Sequence, residues 1–164
     1  MKILPHWGSF MPALIQLVNA TSGPILELGC GFHSTPYLHW HCSINGRRLV
    51  SYEGDAGYYK WFSRYAGDFH EIHFVTDWDA IDISGPWDVA LVDHSPMERR
   101  RAEVARLKDR ARYIIAHDTE KKYRRHYRYE EIYHLFKYHT HFKRSPPNTC
   151  VFSNIPLPEG VTNA

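Results

Sequence analysis

Residues 25–31 read Ile-Leu-Glu-Leu-Gly-Cys-Gly, and this stretch decides the fold. Ile25, Leu26 and Leu28 form an apolar run that suits a buried strand, and the run stops on Gly29 and Gly31. A strand ending in G-x-G can turn sharply and lets a ligand approach the main chain without meeting a Cβ. Glu27 stands just before the turn, where its carboxylate would bind a cation or anchor the loop. The next apolar run, Leu49-Val50-Ser51-Tyr52-Glu53, closes on a second acid. In a β-α-β unit that position faces the ribose of a bound nucleotide, because a carboxylate accepts two hydrogen bonds from a vicinal diol. Glycine loop and downstream acid together specify a site for a nucleoside-type cofactor.

Strand-like and helical patterns alternate outward from this unit. Phe10 to Ala20 reads as a leading helix and Pro24 to Cys30 as the first strand. Thr35 to Ile44 suits a helix, with Ser34 as N-cap and Pro36 early in it. Arg48 to Glu53 is the second strand, followed by a helix over Ala56 to Tyr65 with Tyr58, Phe62 and Tyr65 on one face. Glu71 to Thr76 alternates as a third strand, and Trp87 to Asp93 is a clear buried strand. An Arg-rich helix is expected over Met97 to Ala111, a fifth strand over Arg112 to Ala116, and a helix over Tyr129 to Phe136. Thr140 to Lys143 and Thr149 to Ser153 would pair as a hairpin across Ser145-Pro146-Pro147-Asn148. The pattern predicts an α/β fold: a doubly wound, mostly parallel sheet with helices on both faces and an antiparallel C-terminal hairpin.

With 164 residues and no internal repeat or linker, residues 1–164 are expected to form a single domain. A composition 43% hydrophobic and 23% charged is ordinary for a globular protein, and no apolar run approaches a membrane span. The start, Met1-Lys2-Ile3-Leu4-Pro5, does not resemble a secretory leader. Cys30, Cys42 and Cys150 give an odd count without paired spacing, so reduced thiols and a cytoplasmic location are expected. His33, His39, His41 and Cys42 lack zinc-ligand spacing and read as structural or solvated.

Glu27-Leu28-Gly29-Cys30-Gly31 resembles the first motif of class I S-adenosylmethionine-dependent methyltransferases, E/D-x-G-x-G, and Glu53 falls where that family has its ribose-binding acid. The resemblance spans about Gly23 to Ser153 and implies a seven-stranded Rossmann-like sheet without an added substrate domain. It implies S-adenosylmethionine as cofactor, held by Glu27, Gly29, Gly31 and Glu53, with Ser34 and Thr35 toward its carboxylate. Asp77 and Trp78 would meet the adenine amino group and ring. Asp93, at the end of the fourth strand, would face the transferring methyl and the acceptor.

Asp118 ends the fifth strand, and His94 and His117 stand beside the two acids. The pair is similar to catechol O-methyltransferase and its relatives, where a strand-four Asp and a strand-five Asp-Asn bind magnesium. A divalent metal on Asp93 and Asp118 is thus one expectation. This chain departs from that pattern with Thr119 in place of the Asn and Pro96 in place of a lysine base. Without a metal, His94 or His117 is the expected general base. Asp93-His94-Ser95-Pro96 also differs from the Asn-Pro-Pro-Tyr of nucleic-acid N-methyltransferases.

Residues 121–129, Lys-Lys-Tyr-Arg-Arg-His-Tyr-Arg-Tyr, interleave five basic residues with three tyrosines. Together with Arg99, Arg100 and Arg101 they would contact phosphates and stack on bases or sugars, unless Glu120, Glu130 and Glu131 merely balance them on a solvated face. The expected acceptor is a small molecule, anionic if this basic surface is used, and methylated on oxygen. RNA as the acceptor, or an RNA- or cofactor-binding module without turnover, stands as the alternative. A hydroxylase-like enzyme on the same sheet is a further one. A nicotinamide dehydrogenase is disfavoured because Ser34 replaces the third glycine of its fingerprint.

Overall fold

The computed structural model of the chain describes residues 4–144 and 146–161. Met1 to Ile3, Ser145 of the expected hairpin turn, and the side chains of Tyr123 and Arg124 in the basic segment lie outside the described residues. The strands are β1 (Ile25–Leu28), β2 (Leu49–Glu53), β3 (His70–Phe74), β4 (Trp87–Val92), β5 (Ala111–Ala116), β6 (Tyr138–Phe142) and β7 (Thr149–Ser153). They form one sheet in the order β3-β2-β1-β4-β5-β7-β6. Pairing is parallel from β3 to β5, and β7 runs antiparallel to both β5 and β6.

Alternating strand residues feed two separate cores. Leu26, Leu28, Val50, Ala90, Val92, Ile114 and Ala116 face one side, together with Val104 and Leu107. Ile25, Leu49, Val89, Leu91 and Ile115 face the other. That second side is covered by Ala13, Leu14, Leu17 and Val18 of α1 (Met11–Asn19) and by Leu38 and Cys42 of α2 (Ser34–Asn45). Burial on both faces explains why β1 and β4 read as near-continuous apolar runs. The C-terminal end of α1 is met by Arg47, whose buried guanidinium donates to the carbonyl oxygen of Val18 at 2.7 Å and of Gly23 at 2.8 Å. A basic group there satisfies carbonyls that the helix leaves open.

The helices are shorter than the periodicity suggests. α3 covers Ala56–Phe62 and then tightens to a 3-10 turn over Ser63–Tyr65. The expected helix from Met97 to Ala111 is a 3-10 turn, Met97–Arg99, followed by α4, Arg100–Arg106. It stops early because Ala111 is taken by the ladder as the partner of Trp87, so the chain must reverse at Lys108 and Asp109. Lys121–Tyr123 is a 3-10 turn, and α5 is the single turn Arg124–Tyr127. The expected helix from Tyr129 to Phe136 is a 3-10 segment, Tyr129–Leu135, entered through Arg128 in the left-handed region at φ 51°. β3 and β6 each sit one or two residues earlier than expected. Among the described residues no helix is long and apolar enough to cross a membrane.

Candidate active site

The glycine turn after β1 is built from beneath. Gly29 has φ +97°, and a Cβ there would come within 2.7 Å of the Cα and N of His94, with no side chain able to yield. Glycine is thus required by the exit of β4, which crosses the turn, before any ligand is considered. Glu27 is fully buried and anchors the loop. Its carboxylate accepts from Ser51 Oγ at 2.6 Å and from Thr35 Oγ1 at 2.9 Å, and Thr35 Oγ1 accepts from the Gly31 N–H at 2.9 Å. Burial pushes the Glu27 pKa up to about 7 against these hydrogen bonds.

The polar chain continues away from the loop. His70 Nε2 lies 2.9 Å from Ser51 Oγ, and His70 Nδ1 lies 3.1 Å from His39 Nδ1. Ser51 gives its proton to Glu27, so it accepts from His70. Burial holds His70 neutral, its pKa lowered to about 4. Ser34 is the first residue of α2 rather than its cap; His33 occupies the cap position with no side-chain cap bond. Ser34 and Thr35 are both buried, and the Thr35 hydroxyl is committed to Glu27.

A cavity of about 470 Å³ opens beyond the ends of β1, β2, β4 and β5. Its walls are Gly29 to His33, Glu53, Asp55, Tyr58, Asp93 to Ser95, Arg100, His117 and Asp118, closed by His6, Trp7, Phe10 and Pro147. Glu53 accepts from the Cys30 N–H at 2.8 Å and from the Asp55 N–H at 2.7 Å, one on each oxygen. A carboxylate has about four acceptor positions, so these bonds leave room for a further donor. Burial is the largest influence on Glu53 and raises its pKa. Phe32 stands 5.8 Å from Tyr58 and 5.0 Å from Phe62, so an aromatic wall rises beside Glu53.

Asp77 and Trp78 are not among the residues lining this cavity. Asp77 is exposed and accepts from the Asp79 N–H at 2.9 Å. Trp78 is buried and stacks on the His94 ring at 3.9 Å. The cause lies in α4: fully buried Glu103 binds Arg99 and Arg106, and Arg106 donates to the carbonyls of Trp78 at 2.7 Å and Ile81 at 3.0 Å. That clamp draws the loop after β3 over the sheet rather than toward the cavity.

Asp93 and Asp118 are brought together as their strand-end positions imply, and a cation already joins them. Arg100 Nη1 lies 2.8 Å from Asp93 Oδ1 and 2.9 Å from Asp118 Oδ2. Asp118 also accepts from Tyr127 Oη at 2.8 Å and adopts φ +58°, a left-handed conformation uncommon outside glycine. His117 Nδ1 faces Asp93 Oδ1 at 3.1 Å, and its Nε2 faces Ser9 Oγ at 2.8 Å. Ser9 donates to the Pro147 carbonyl at 2.6 Å, so it must accept from His117. Both ring nitrogens therefore act as donors. Burial alone would lower the His117 pKa, but Asp93 and Asp118 outweigh it and the net shift is upward. His94 is 1% exposed, its ring nitrogens have no partner, and burial drives its pKa down to about 3. In this geometry the His117 ring turns N–H groups toward both Ser9 and Asp93, and the buried His94 ring is weakly basic.

Ligand atoms of Asp93, His117 and Asp118 lie within 4.8 Å of one another, the spacing of a metal site. The guanidinium of Arg100 between the two carboxylates makes this donor set a poor fit for a dication. The neighbouring arginines are paired as well: Arg99 with Asp79 and Glu103, and Arg101 with Glu131, which also takes Arg128. Successive residues on a helix point about 100° apart, so an Arg-Arg-Arg run was never one basic patch. That geometric signal was legible in the sequence; the roles of Ser9, Phe32 and Tyr127 carried none.

A second cavity, of about 620 Å³, is lined by Asp118 to Lys122, Tyr127 to Glu130, Tyr133, His141, Lys143 and Asn148. Among the described residues it shares Asp118 alone with the first.

No family model and no curated protein matches the chain. Solved structures do. The O-methyltransferase from Bacillus cereus in complex with SAH aligns with a TM-score of 0.68 at 18% identity, covering 92% of this chain and 81% of that one. Cofactor-bound Rv0187 from MTB gives 0.66 at 15% identity, over 95% and 83% of the two chains. The N-terminal domain of human METTL16 in complex with SAH gives 0.65 at 14%, over 95% and 73%. At these identities the likeness is one of architecture, and the architecture is that of the Rossmann-like class I methyltransferases.

Proposed function

We propose that the chain is an S-adenosylmethionine-dependent methyltransferase acting on a small anionic acceptor. The observation that carries this reading is the cavity beyond β1 and β2, walled by the glycine turn and Glu53, on a sheet of methyltransferase order. Its volume suits a nucleoside-sized ligand. The free acceptor positions of Glu53 would take the ribose hydroxyls. Phe32 and Tyr58 offer ring faces to adenine, in the place the sequence assigned to Trp78. S-adenosylmethionine, when bound, supplies an electrophilic methyl on a sulfonium. Asp93 and Asp118 then orient the acceptor's nucleophile, and alignment provides much of the rate.

Four cations, Lys121, Lys122, Arg128 and Lys143, line the second cavity with Tyr127 and Tyr133 and outnumber its three carboxylates, Asp118, Glu120 and Glu130. Enclosure of basic residues around a cavity favours a small phosphorylated or carboxylated molecule over an extended strand. Methylation at oxygen remains our assignment for the acceptor atom. RNA is the second reading, supported by the same lysines and by the likeness to human METTL16, whose catalytic domain has been solved in complex with the MAT2A 3'UTR hairpin 1.

Calorimetry with S-adenosylmethionine and its demethylated product tests the proposal, with saturable heat expected from both. Absence of heat from either compound would remove the enzymatic reading. RNA binding that collapses with salt, with no cofactor response, would replace it with a binding module.

A further inference from the structure

We propose that Arg100 is the resident cation of the acceptor edge, holding Asp93 and Asp118 in the place a divalent metal would take, so that this edge works without one. The consequence for methyl transfer rests on the function proposed above; the cation assignment itself does not.

The guanidinium is held on three sides. Nη1 contacts Asp93 Oδ1 at 2.8 Å and Asp118 Oδ2 at 2.9 Å. Nε donates to the His94 carbonyl at 2.7 Å, and Nη2 donates to the Asp93 carbonyl at 3.0 Å. The Tyr127 ring lies 5.2 Å from its centre, and the side chain is only 8% exposed. Three guanidinium N–H groups donate hydrogen bonds, to the His94 carbonyl, the Asp93 carbonyl and Asp118 Oδ2, and Nη1 also makes the ion-pair contact with Asp93 Oδ1. Arg100 itself lines the first cavity, so its guanidinium is within reach of an oxygen of a bound molecule.

A hard dication takes six or more oxygen ligands, water among them, and is held to a protein by uncommitted carboxylate oxygens. Here Asp93 Oδ1 and Asp118 Oδ2 are already committed to Arg100, and His117 turns an N–H rather than a lone pair toward Asp93. A metal added beside them would also sit against a fixed positive charge. Arginine suits such a role because it stays charged when buried and fits two carboxylates with a planar fork. Asp93 Oδ2 and Asp118 Oδ1 are left to accept hydrogen bonds from the acceptor. The acceptor must then carry a nucleophile that needs no Lewis acid to activate it.

Manganese titration followed by electron paramagnetic resonance tests the assignment on the intact chain. The wild type is expected to leave the free-ion signal unchanged up to about 1 mM, while Arg100→Met withdraws one equivalent at about 100-fold lower concentration or better, because a like charge has gone from contact distance. Adding Asp118→Asn to Arg100→Met should abolish that binding. Should Arg100→Met melt too low for titration, manganese is expected to raise its melting temperature and leave that of the wild type unmoved. One equivalent bound by the wild type and released by Asp118→Asn overturns the proposal. So does a folded Arg100→Met that ignores manganese in both experiments. Neither result depends on the response to S-adenosylmethionine, so failure here and failure of the methyltransferase reading are separate events.

Discussion

Replacing Glu27 by glutamine removes one buried titration, and the effect is readable as a difference between two stability profiles. The folded carboxyl has its pKa raised from 4.5 to about 7, chiefly by burial. Between those values the native protein keeps a proton that the unfolded chain has released. Stability from this group is therefore fully present below pH 4.5 and is lost as pH rises to 7, after which it is constant. The raised pKa corresponds to about 3 kcal/mol. His70 works in the opposite sense. Its pKa is lowered by burial from 6.5 to about 4, so the unfolded chain takes its proton first and stability rises across that window. The wild-type profile therefore conceals both slopes.

Subtracting it from that of Glu27→Gln isolates the carboxyl, because His70 is present in both proteins and the hydrogen bonds altered by the amide contribute an offset independent of pH. Urea unfolding at intervals from pH 4.5 to 8 should show the glutamine variant gaining about 3 kcal/mol relative to wild type across the range. Parallel profiles, with a difference constant to within about 0.5 kcal/mol, would refute the reasoning that Glu27 is a desolvated acid beneath the glycine turn.

Gly29→Ala should lose about 2–4 kcal/mol in the same assay, from the left-handed backbone and from the collision with the His94 main chain; an unchanged midpoint would contradict this. Glu53→Gln should weaken binding of the demethylated cofactor by about 1–3 kcal/mol in calorimetry, and an unaltered Kd would separate Glu53 from the ribose. Once an acceptor is in hand, Lys121→Gln with Lys122→Gln should raise its KM and leave the KM for S-adenosylmethionine as it was. A change confined to the cofactor's KM would move the acceptor out of the second cavity.

Much of the fold is legible in the sequence because alternate residues of β1, β4 and β5 serve two cores, as the neighbours Ile25 and Leu26 do. Position along the chain also reveals that Asp93 and Asp118 converge, since both close parallel neighbours. Contacts between distant segments are not legible. Ser9 reaches Pro147 across 138 residues, and nothing local to either residue announces it. Trp78 follows a strand as an adenine-binding residue should, yet Arg106, 28 residues on, holds its carbonyl and keeps the indole under His94. The length of α4 fails for a related reason. Ala111 has helical propensity, but the β4 ladder claims it.

Among the described residues the two cavities have a single lining residue in common, Asp118. Their remaining walls come largely from different segments: His6, Trp7, Phe10 and the turns after β1, β2 and β4 for one, with His117 and Pro147, and residues 119–122, 127–130, 133, 141, 143 and 148 for the other. A scaffold partitioned in this way can exchange one chamber's furnishings residue by residue while the other stays intact. Under the proposed function, descendants of such a chain are free to change the acceptor they take while the cofactor chamber stays as it is.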